Sequence, residues 1–244
     1  LILGLTSLPA LAEEAPKTST ATSEALSAPE RDALRAEIRD YLLEHPEVLI
    51  EAMDVLQARE EAAALQRDLT MVSTHASTIF DDPNDWVGGN PNGDITLVEF
   101  MDYRCGYCRK AYDEVEELVK SDGNIRFVVK EFPILGEASM LSSQFAIAVR
   151  QLHGDPAYAA AHDALITLRG EPSTETLTRL ATDLGHDPKP ILDRMGAPEV
   201  MAVIQANYVL AEQMEITGTP AFVLKDGVMR GYAPLDVMRD FVAD

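Results

Sequence analysis

At 244 residues, the chain is long enough to bury a sizeable core, as one large domain or as a domain with an appendage. Its 41 Asp and Glu residues outnumber its 20 Lys and Arg residues, and the formal net charge is −21. This charge argues against nucleic acid or an anionic membrane surface as the main partner.

The first twelve residues, LILGLTSLPALA, are apolar and end in the small-x-small pattern of a secretory cleavage site. A basic segment before them is missing, so we expect the tail of an export signal, cleaved near Ala12, whose start lies upstream. Twelve apolar residues are too few to span a bilayer. The alternative is a buried or frayed N-terminal strand.

Residues 13–28 are rich in Ala, Ser, Thr and Glu, a composition typical of a flexible linker. From Pro29, apolar residues at helical spacing predict an amphipathic helix, and a His-Pro pair at 45–46 separates it from a second helix that ends near Leu69. Neither helix can bury its apolar stripe alone. We therefore predict that residues 29–70 form a homo-oligomer, a dimer or a trimer, with docking on the same chain as the alternative.

Residues 71–244 are predicted to form one α/β domain, because strand and helix patterns alternate after a turn-rich entry at 81–94. The expected elements are a strand at 95–101, a helix at 109–120, a strand at 125–132, several short helices within an insertion at about 137–214, a β-hairpin at 221–232 and a last helix at 234–242.

The two cysteines, Cys105 and Cys108, follow the first strand and precede the helix as Cys-Gly-Tyr-Cys. A helix N-terminus stabilises a thiolate, and two intervening residues let the second sulfur close a disulfide with the first. A disulfide that closes such a short loop adds little to stability, so a catalytic role explains the cysteine pair better than a structural disulfide does. Structural zinc is disfavoured because four ligands are needed and the five histidines are scattered, whereas copper(I) bound by two thiolates stays open.

Three segments, ITLVEFMDYRCGYC, VVKEFPILG and ITGTPAFVL, follow one another in an order that resembles the DsbA family. They are most similar to its branch containing the suppressor-of-copper-sensitivity protein C, and the resemblance covers residues 30–244. It implies a thioredoxin fold with a helical insertion, preceded by an N-terminal helical segment. It also implies a Gram-negative periplasmic location, and with a redox-active cysteine pair we expect no further cofactor.

Individual residues of the motif have expected roles. Cys105, at the helix N-terminus, would be the exposed nucleophile, and Cys108, one turn inside, the resolving thiol; Gly106 and Tyr107 lie closest to the sulfurs and would tune the cysteine pKa. The resemblance implies that Thr219-Pro220 forms the loop with a cis proline beside the sulfurs, where the backbone of Thr219 could pair with an extended substrate.

Glu99 is an acidic residue within an otherwise apolar strand. Strand alternation places it on the face of Leu97 and Met101, near the sulfurs, where burial would raise its pKa and let it relay a proton. It also matches an acidic position of DsbA-like proteins. A compatible alternative pairs Glu99 with Lys130 on the adjacent strand, which would then tune the site.

The function expected from these features is a periplasmic thiol:disulfide oxidoreductase that acts on unfolded or misoxidised exported proteins. A membrane redox partner would reset its cysteines, and an oligomeric N-terminal segment favours isomerase over oxidase. A copper(I)-binding or redox-buffering protein is the main alternative, and a non-catalytic adaptor for unfolded chains is a third.

Overall fold

A computed structural model of the chain describes residues 26–243. The expected signal peptide, its cleavage near Ala12 and most of the expected linker lie outside the described residues. The chain divides into two compact units within one long helix, between Ala58 and Arg59.

Helices predominate between residues 26 and 243. The nine helices of this range are α1 Ala28–Glu44, α2 Glu47–Phe80, α3 Gly106–Asp122, α4 Glu137–His153, α5 Asp155–Ile166, α6 Thr174–Asp183, α7 Pro188–Met195, α8 Pro198–Gln213 and α9 Leu235–Ala243. Its five strands are β1 Trp86–Gly89, β2 Ile95–Met101, β3 Ile125–Glu131, β4 Ala221–Leu224 and β5 Gly227–Arg230. The predicted α/β architecture, with helices α4–α8 inserted before the hairpin, is confirmed. None of the helices in this range is long and apolar enough to cross a membrane.

The first unit contains α1 and the beginning of α2. Helix α1 starts next to Pro29, where the Glu30 carboxylate accepts a hydrogen bond from the Ser27 backbone N–H at 2.8 Å. The predicted break at 45–46 is confirmed, because α1 ends before the His-Pro pair and α2 begins after it. No residue of α1 is buried.

The apolar side chains of this unit are largely exposed to solvent. They include Leu34, Ile38, Tyr41, Leu43, Leu49, Ile50, Met53, Val55 and Leu56, each about half exposed or more.

The predicted end of the second helix near Leu69 is wrong. Helix α2 continues without interruption to Phe80, so the expected boundary at residue 70 lies inside a helix. Its last turns carry Val72 and Ile79, which are fully buried in the second unit and extend the apolar stripe beyond the point where the sequence pattern weakened. Tertiary packing therefore sets the length of this helix.

The second unit is built around one five-stranded sheet with the order β1-β3-β2-β4-β5. Strands β2 and β3 are parallel, and the other neighbouring pairs are antiparallel. The sequence patterns did not predict β1, a four-residue edge strand with two glycines, which continues the sheet beyond β3.

The two faces of this sheet pack against different helices. One face, with Leu97, Met101 and Val129, contacts α3 and the inserted helices α4–α8. The other face, with Val98 and Phe100, packs under the end of α2 and the end of α8. Because neighbouring residues of a strand point to opposite faces, each position of β2 and β3 belongs to only one of these two cores.

Candidate active site

The two cysteines lie where β2 gives way to α3. Cys105 is the N-cap residue of α3 in an extended conformation, and its carbonyl oxygen accepts a hydrogen bond from the Arg109 N–H at 3.1 Å. Cys108 lies one helical turn further, on the buried side. Both are free thiols, with 7% and 2% of their surfaces exposed, so the expectation that Cys105 is exposed is wrong, although it is the more accessible of the two. Cys105 therefore stands at the positive end of the helix dipole, and Cys108 lies behind it.

The loop before β4 completes the site from the far end of the chain. Strand β4 pairs with β2 so that Ala221 lies opposite Phe100, and this pairing brings the preceding Thr219 to the cysteines. The Thr219–Pro220 peptide bond is cis, as the family resemblance implied. The Cys105 sulfur lies 3.2 Å from the Thr219 carbonyl oxygen, to which it donates a hydrogen bond when it is protonated.

The two sulfurs have opposite acidities. A hydrogen bond from the Cys108 thiol is the main cause that lowers the pKa of Cys105 to about 5, against an opposing effect of burial. The Thr219 side chain and the backbone N–H groups of Cys108 and Tyr107 lower this pKa further. The pKa of Cys108 is raised, by the same pairing with Cys105, by burial and by the charge of Glu99. At neutral pH, Cys105 is therefore the thiolate and Cys108 the thiol.

Glu99 lies beneath the cysteine pair in a buried position. Burial, followed by the charge of Cys105, raises the pKa of its carboxyl group to about 8. Glu99, Cys108 and Met101 line one cavity of about 380 Å³ beside α3. The rest of its wall includes Trp86, Tyr112, Val115, Glu116, Phe127, His162 and Asp163. Glu99 is thus a neutral acid at pH 7 that shares a cavity with Cys108.

The expected pairing of Glu99 with Lys130 is wrong. In the parallel register Glu99 lies opposite Val129, and Lys130 lies opposite Phe100 on the other face of the sheet. The Lys130 ammonium group is fully buried there, 2.5 Å from the Asp85 carboxylate and 2.6 Å from the Thr78 carbonyl oxygen. Lys130 therefore makes no direct contact with the cysteine site.

Gly106 and Tyr107, between the cysteines, both face solvent. Tyr107 is 63% exposed, and its ring stacks on that of Tyr232 with 6.2 Å between the centroids. The Lys110 ammonium group lies 4.0 Å from the centroid of the Tyr232 ring. The ring of Tyr107 thus extends the exposed surface beside Cys105, while its backbone N–H acts on the sulfur.

Asp102 is a buried residue of the site that sequence reasoning missed. One carboxylate oxygen accepts the backbone N–H of Arg104 at 2.7 Å, and the other accepts those of Ile134 and Leu135 at 2.8 and 3.0 Å. A single side chain therefore joins the cysteine loop to the loop after β3. An aspartate three residues before a helix-start cysteine is the sequence signal that could have indicated it.

A second missed feature is a buried polar cluster around Glu131. Its carboxylate accepts hydrogen bonds from the hydroxyls of Tyr103, Tyr158 and Ser143 at 2.6 to 2.8 Å. The Tyr103 oxygen also lies 3.0 Å from His162 Nδ1. Since the single Tyr103 proton goes to Glu131, the imidazole is the donor in that contact. Burial raises the pKa of Glu131 to about 7 and lowers that of His162 to about 4.

We also searched the described residues for clusters of possible metal ligands. Between residues 26 and 243, no group of three or more His, Cys, Asp or Glu side chains is placed to hold a metal ion.

Family comparisons agree with this arrangement. Residues 81–244 match the family model described as thioredoxin. The chain belongs to the thioredoxin family. Residues 30–63 match a second model, the N-terminal domain of the copper resistance protein ScsC. The suspected relationship to DsbA-like and ScsC proteins is therefore confirmed, and the ScsC model supports an N-terminal helical segment.

Two solved structures illustrate the similarity. The chain is 41% identical to a thioredoxin-like oxidoreductase from Silicibacter pomeroyi DSS-3, over 68% of this chain and 95% of that one, with a TM-score of 0.64. It is 27% identical to the thiol-disulfide exchange protein alpha-DsbA2 from Wolbachia pipientis, over 74% and 97% of the two chains, with a TM-score of 0.69. Relatives of this kind support an oxidoreductase.

Curated relatives include larger proteins. The chain is 30% identical over 147 residues to the Na(+)/H(+) antiporter NhaA 1 of Salinispora arenicola, which covers 58% of this chain and 22% of that protein. The chain thus spans about a fifth of the length of the first curated relatives that it matches.

Proposed function

We propose that the chain is a periplasmic thiol:disulfide oxidoreductase that acts on exported proteins through Cys105 and Cys108. The observation that carries this proposal is the placement of Cys105 at the start of α3 and next to the Thr219 loop, where the Cys108 thiol, the Thr219 side chain and backbone N–H groups lower its pKa to about 5. A thiolate at neutral pH, beside a backbone that an extended chain can pair with, suits exchange with protein disulfides.

In the reduced protein the Cys105 thiolate attacks one sulfur of a substrate disulfide. The substrate S–S bond breaks, a mixed disulfide forms, and the second substrate sulfur leaves as a thiolate. If Cys108 then attacks Cys105, the substrate leaves reduced and the Cys105–Cys108 disulfide carries the oxidation. If the freed substrate thiolate instead attacks another substrate sulfur, Cys105 is released unchanged and the substrate is isomerised without net electron transfer.

Glu99 supplies the proton step in this proposal. Cys108 must lose a proton before it attacks, and its raised pKa makes that loss unfavourable without a base. The Glu99 carboxyl group, with a pKa near 8, lines the same cavity and can accept this proton when it is ionised. We assign Glu99 a role as general acid and base for the resolving cysteine.

An assay of two reactions tests the proposal and separates isomerase from oxidase. The full chain is given a substrate with scrambled disulfides and, in parallel, the same substrate fully reduced. Reactivation of the scrambled form supports an isomerase, and oxidation alone supports an oxidase that a membrane redox partner would reset. Cys105→Ala is the blank in both assays. If the chain is inactive in both assays, the proposal is contradicted. Copper(I) binding by the cysteine pair is then the remaining alternative.

The N-terminal segment adds a second element to the proposal. We assign residues 29–70 to homo-oligomer formation, because both helices of the first unit expose most of their apolar side chains. Association would bring several cysteine sites to one substrate, which favours isomerisation. A stripe of apolar residues along one side of a helix is typical of a face that packs against another helix.

A charge in the middle of this stripe tests the assignment. Met53, which is 69% exposed, is replaced by Asp in the full chain, and the molar mass is measured by analytical ultracentrifugation. We expect dissociation to monomers, because a buried carboxylate in a helix interface is costly. Leu152→Asp, an equally drastic change at an exposed leucine of α4, is the matched control and keeps the oligomer. A wild-type chain that sediments as a monomer contradicts the assignment.

A further inference from the structure

Two arginines enclose the active-site motif in the sequence, as Arg104-Cys-Gly-Tyr-Cys-Arg109. Both side chains reach away from the sulfurs to the same segment of the helical insertion. Arg104 donates hydrogen bonds to the Gly170 carbonyl oxygen at 2.8 Å and to the Glu171 carboxylate at 3.2 Å. The segment they contact is the end of α5 and the loop that follows it.

Arg109 makes the more extensive of these contacts. Its Nε donates to the Tyr103 carbonyl oxygen at 2.9 Å, and one terminal nitrogen donates to the carbonyl oxygens of Leu168 at 2.6 Å and Leu165 at 3.5 Å. One planar guanidinium group therefore holds the cysteine loop and the C-terminus of α5 at the same time. The last carbonyl groups of a helix attract a cation, which explains the choice of partner on α5.

Tyr103, the residue that Arg109 holds by its carbonyl group, is fixed at its other end as well. Its hydroxyl group donates to Glu131 at 2.8 Å, inside the buried cluster that also contains His162 of α5. Tyr103 lies two residues before Cys105, so a shift of its backbone moves the Cys105 sulfur. That sulfur keeps its acidity only while it stays in register with the donors of Cys108, Tyr107 and Thr219.

We propose that Arg109 is a positioning residue, which uses its forked contacts to the Tyr103 and Leu168 carbonyl groups to hold the Cys105 sulfur against its hydrogen-bond donors. The helical insertion thereby acts on the chemistry of the cysteine pair through α5. The inference rests on the proposed function only in taking Cys105 as the reactive sulfur.

Charge alone would be a different explanation, and the chain allows the two to be separated. Lysine at position 109 keeps the positive charge but presents a point donor instead of a planar fork, so it cannot reach both carbonyl groups in the same geometry. Glutamine removes the charge as well. The pKa of Arg109 is lowered by burial and by the positive charge of Arg104, so its charge is held in an unfavourable environment.

The test titrates the Cys105 thiolate by its ultraviolet absorbance in the reduced full-length chain, as wild type, Arg109→Lys and Arg109→Gln. We expect the apparent pKa of Cys105 to rise by about one unit in both variants, a tenfold fall in the ratio of thiolate to thiol. Arg126→Gln is the matched control and leaves the titration unchanged. Arg126 also donates to a backbone carbonyl group, but that of Phe80 at the end of α2 at 2.9 Å rather than one of α5 or the cysteine loop.

Two results would overturn the inference. A shift in Arg109→Gln with a wild-type titration in Arg109→Lys would assign the effect to charge, and wild-type titrations in both variants would leave Arg109 a purely structural role. If the glutamine variant does not fold by circular dichroism, the lysine variant decides alone. The titration needs no substrate, so a wild-type chain without disulfide-exchange activity would defeat the proposed function and leave this inference standing.

Discussion

Replacing Glu99 by Gln removes a titratable group whose pKa lies near 8 in the folded protein and near 4.5 in the unfolded chain. Between these values the folded protein binds a proton that the unfolded chain has lost. The stability contribution of Glu99 therefore falls as the pH rises from about 4.5 to about 8. Glutamine has nearly the same shape and does not titrate, so the variant escapes this loss.

The size of the effect follows from the two pKa values. Each pKa unit corresponds to about 1.4 kcal/mol. Relative to low pH, Glu99 therefore lowers the unfolding free energy of the wild type by less than about 1 kcal/mol at pH 5 and by about 3 kcal/mol at pH 7. The stability difference between Glu99→Gln and the wild type should therefore move in favour of the variant by about 2 to 3 kcal/mol between pH 5 and pH 7.

Urea denaturation of both reduced proteins at the two pH values measures this change. Glu131 and Asp85, whose pKa values are also raised to about 7, are present in both proteins and cancel in the difference. Glu212→Gln, which alters an exposed carboxylate, serves as the control and shows no comparable dependence. A stability difference that stays constant between pH 5 and pH 7 would refute the placement of Glu99 as a buried neutral acid.

Two further predictions concern the sulfurs and the opposite face of the sheet. Cys108→Ala removes the main donor to the Cys105 sulfur, so the pKa of Cys105 rises from about 5, which the pH dependence of alkylation measures; an unchanged midpoint would contradict this. Lys130→Met leaves Asp85 buried without its partner and lowers the unfolding free energy, measured by urea denaturation, by about 3 kcal/mol. Asp85→Asn should lower the unfolding free energy much less in the Lys130→Met protein than in the wild type. Additive losses would show that the pair is not coupled.

Local patterns were sufficient for much of this fold. The apolar run from Ile95 to Met101 predicted β2 with its observed bounds, and the His-Pro pair at 45–46 predicted the break between the first two helices. These features depend on strand-like hydrophobicity and on the steric effect of proline, both of which act over a few residues. The cis bond before Pro220 came from the family resemblance, since a Thr-Pro pair alone indicates only a turn.

The errors arose where distant parts of the chain decide the structure. Glu99 and Lys130 are on adjacent strands, but the register pairs residue 99 with residue 129, and a difference of one residue places the two side chains on opposite faces. The true partner of Lys130 is Asp85, which comes before a strand too short to predict. The partners of Glu131 likewise come from three separate segments, and no local pattern joins them.

The contact between Cys105 and Thr219 joins residues 114 positions apart in the chain. The four residues Cys-Gly-Tyr-Cys are therefore not sufficient to reproduce this site in another protein. Grafted onto the start of another helix, they would bring two sulfurs and the helix dipole, but not the Thr219 side chain that lowers the pKa of Cys105 or the Asp102 carboxylate that joins the flanking loops. An engineer who wants this acidity in a new scaffold must move the surroundings of the motif together with the motif.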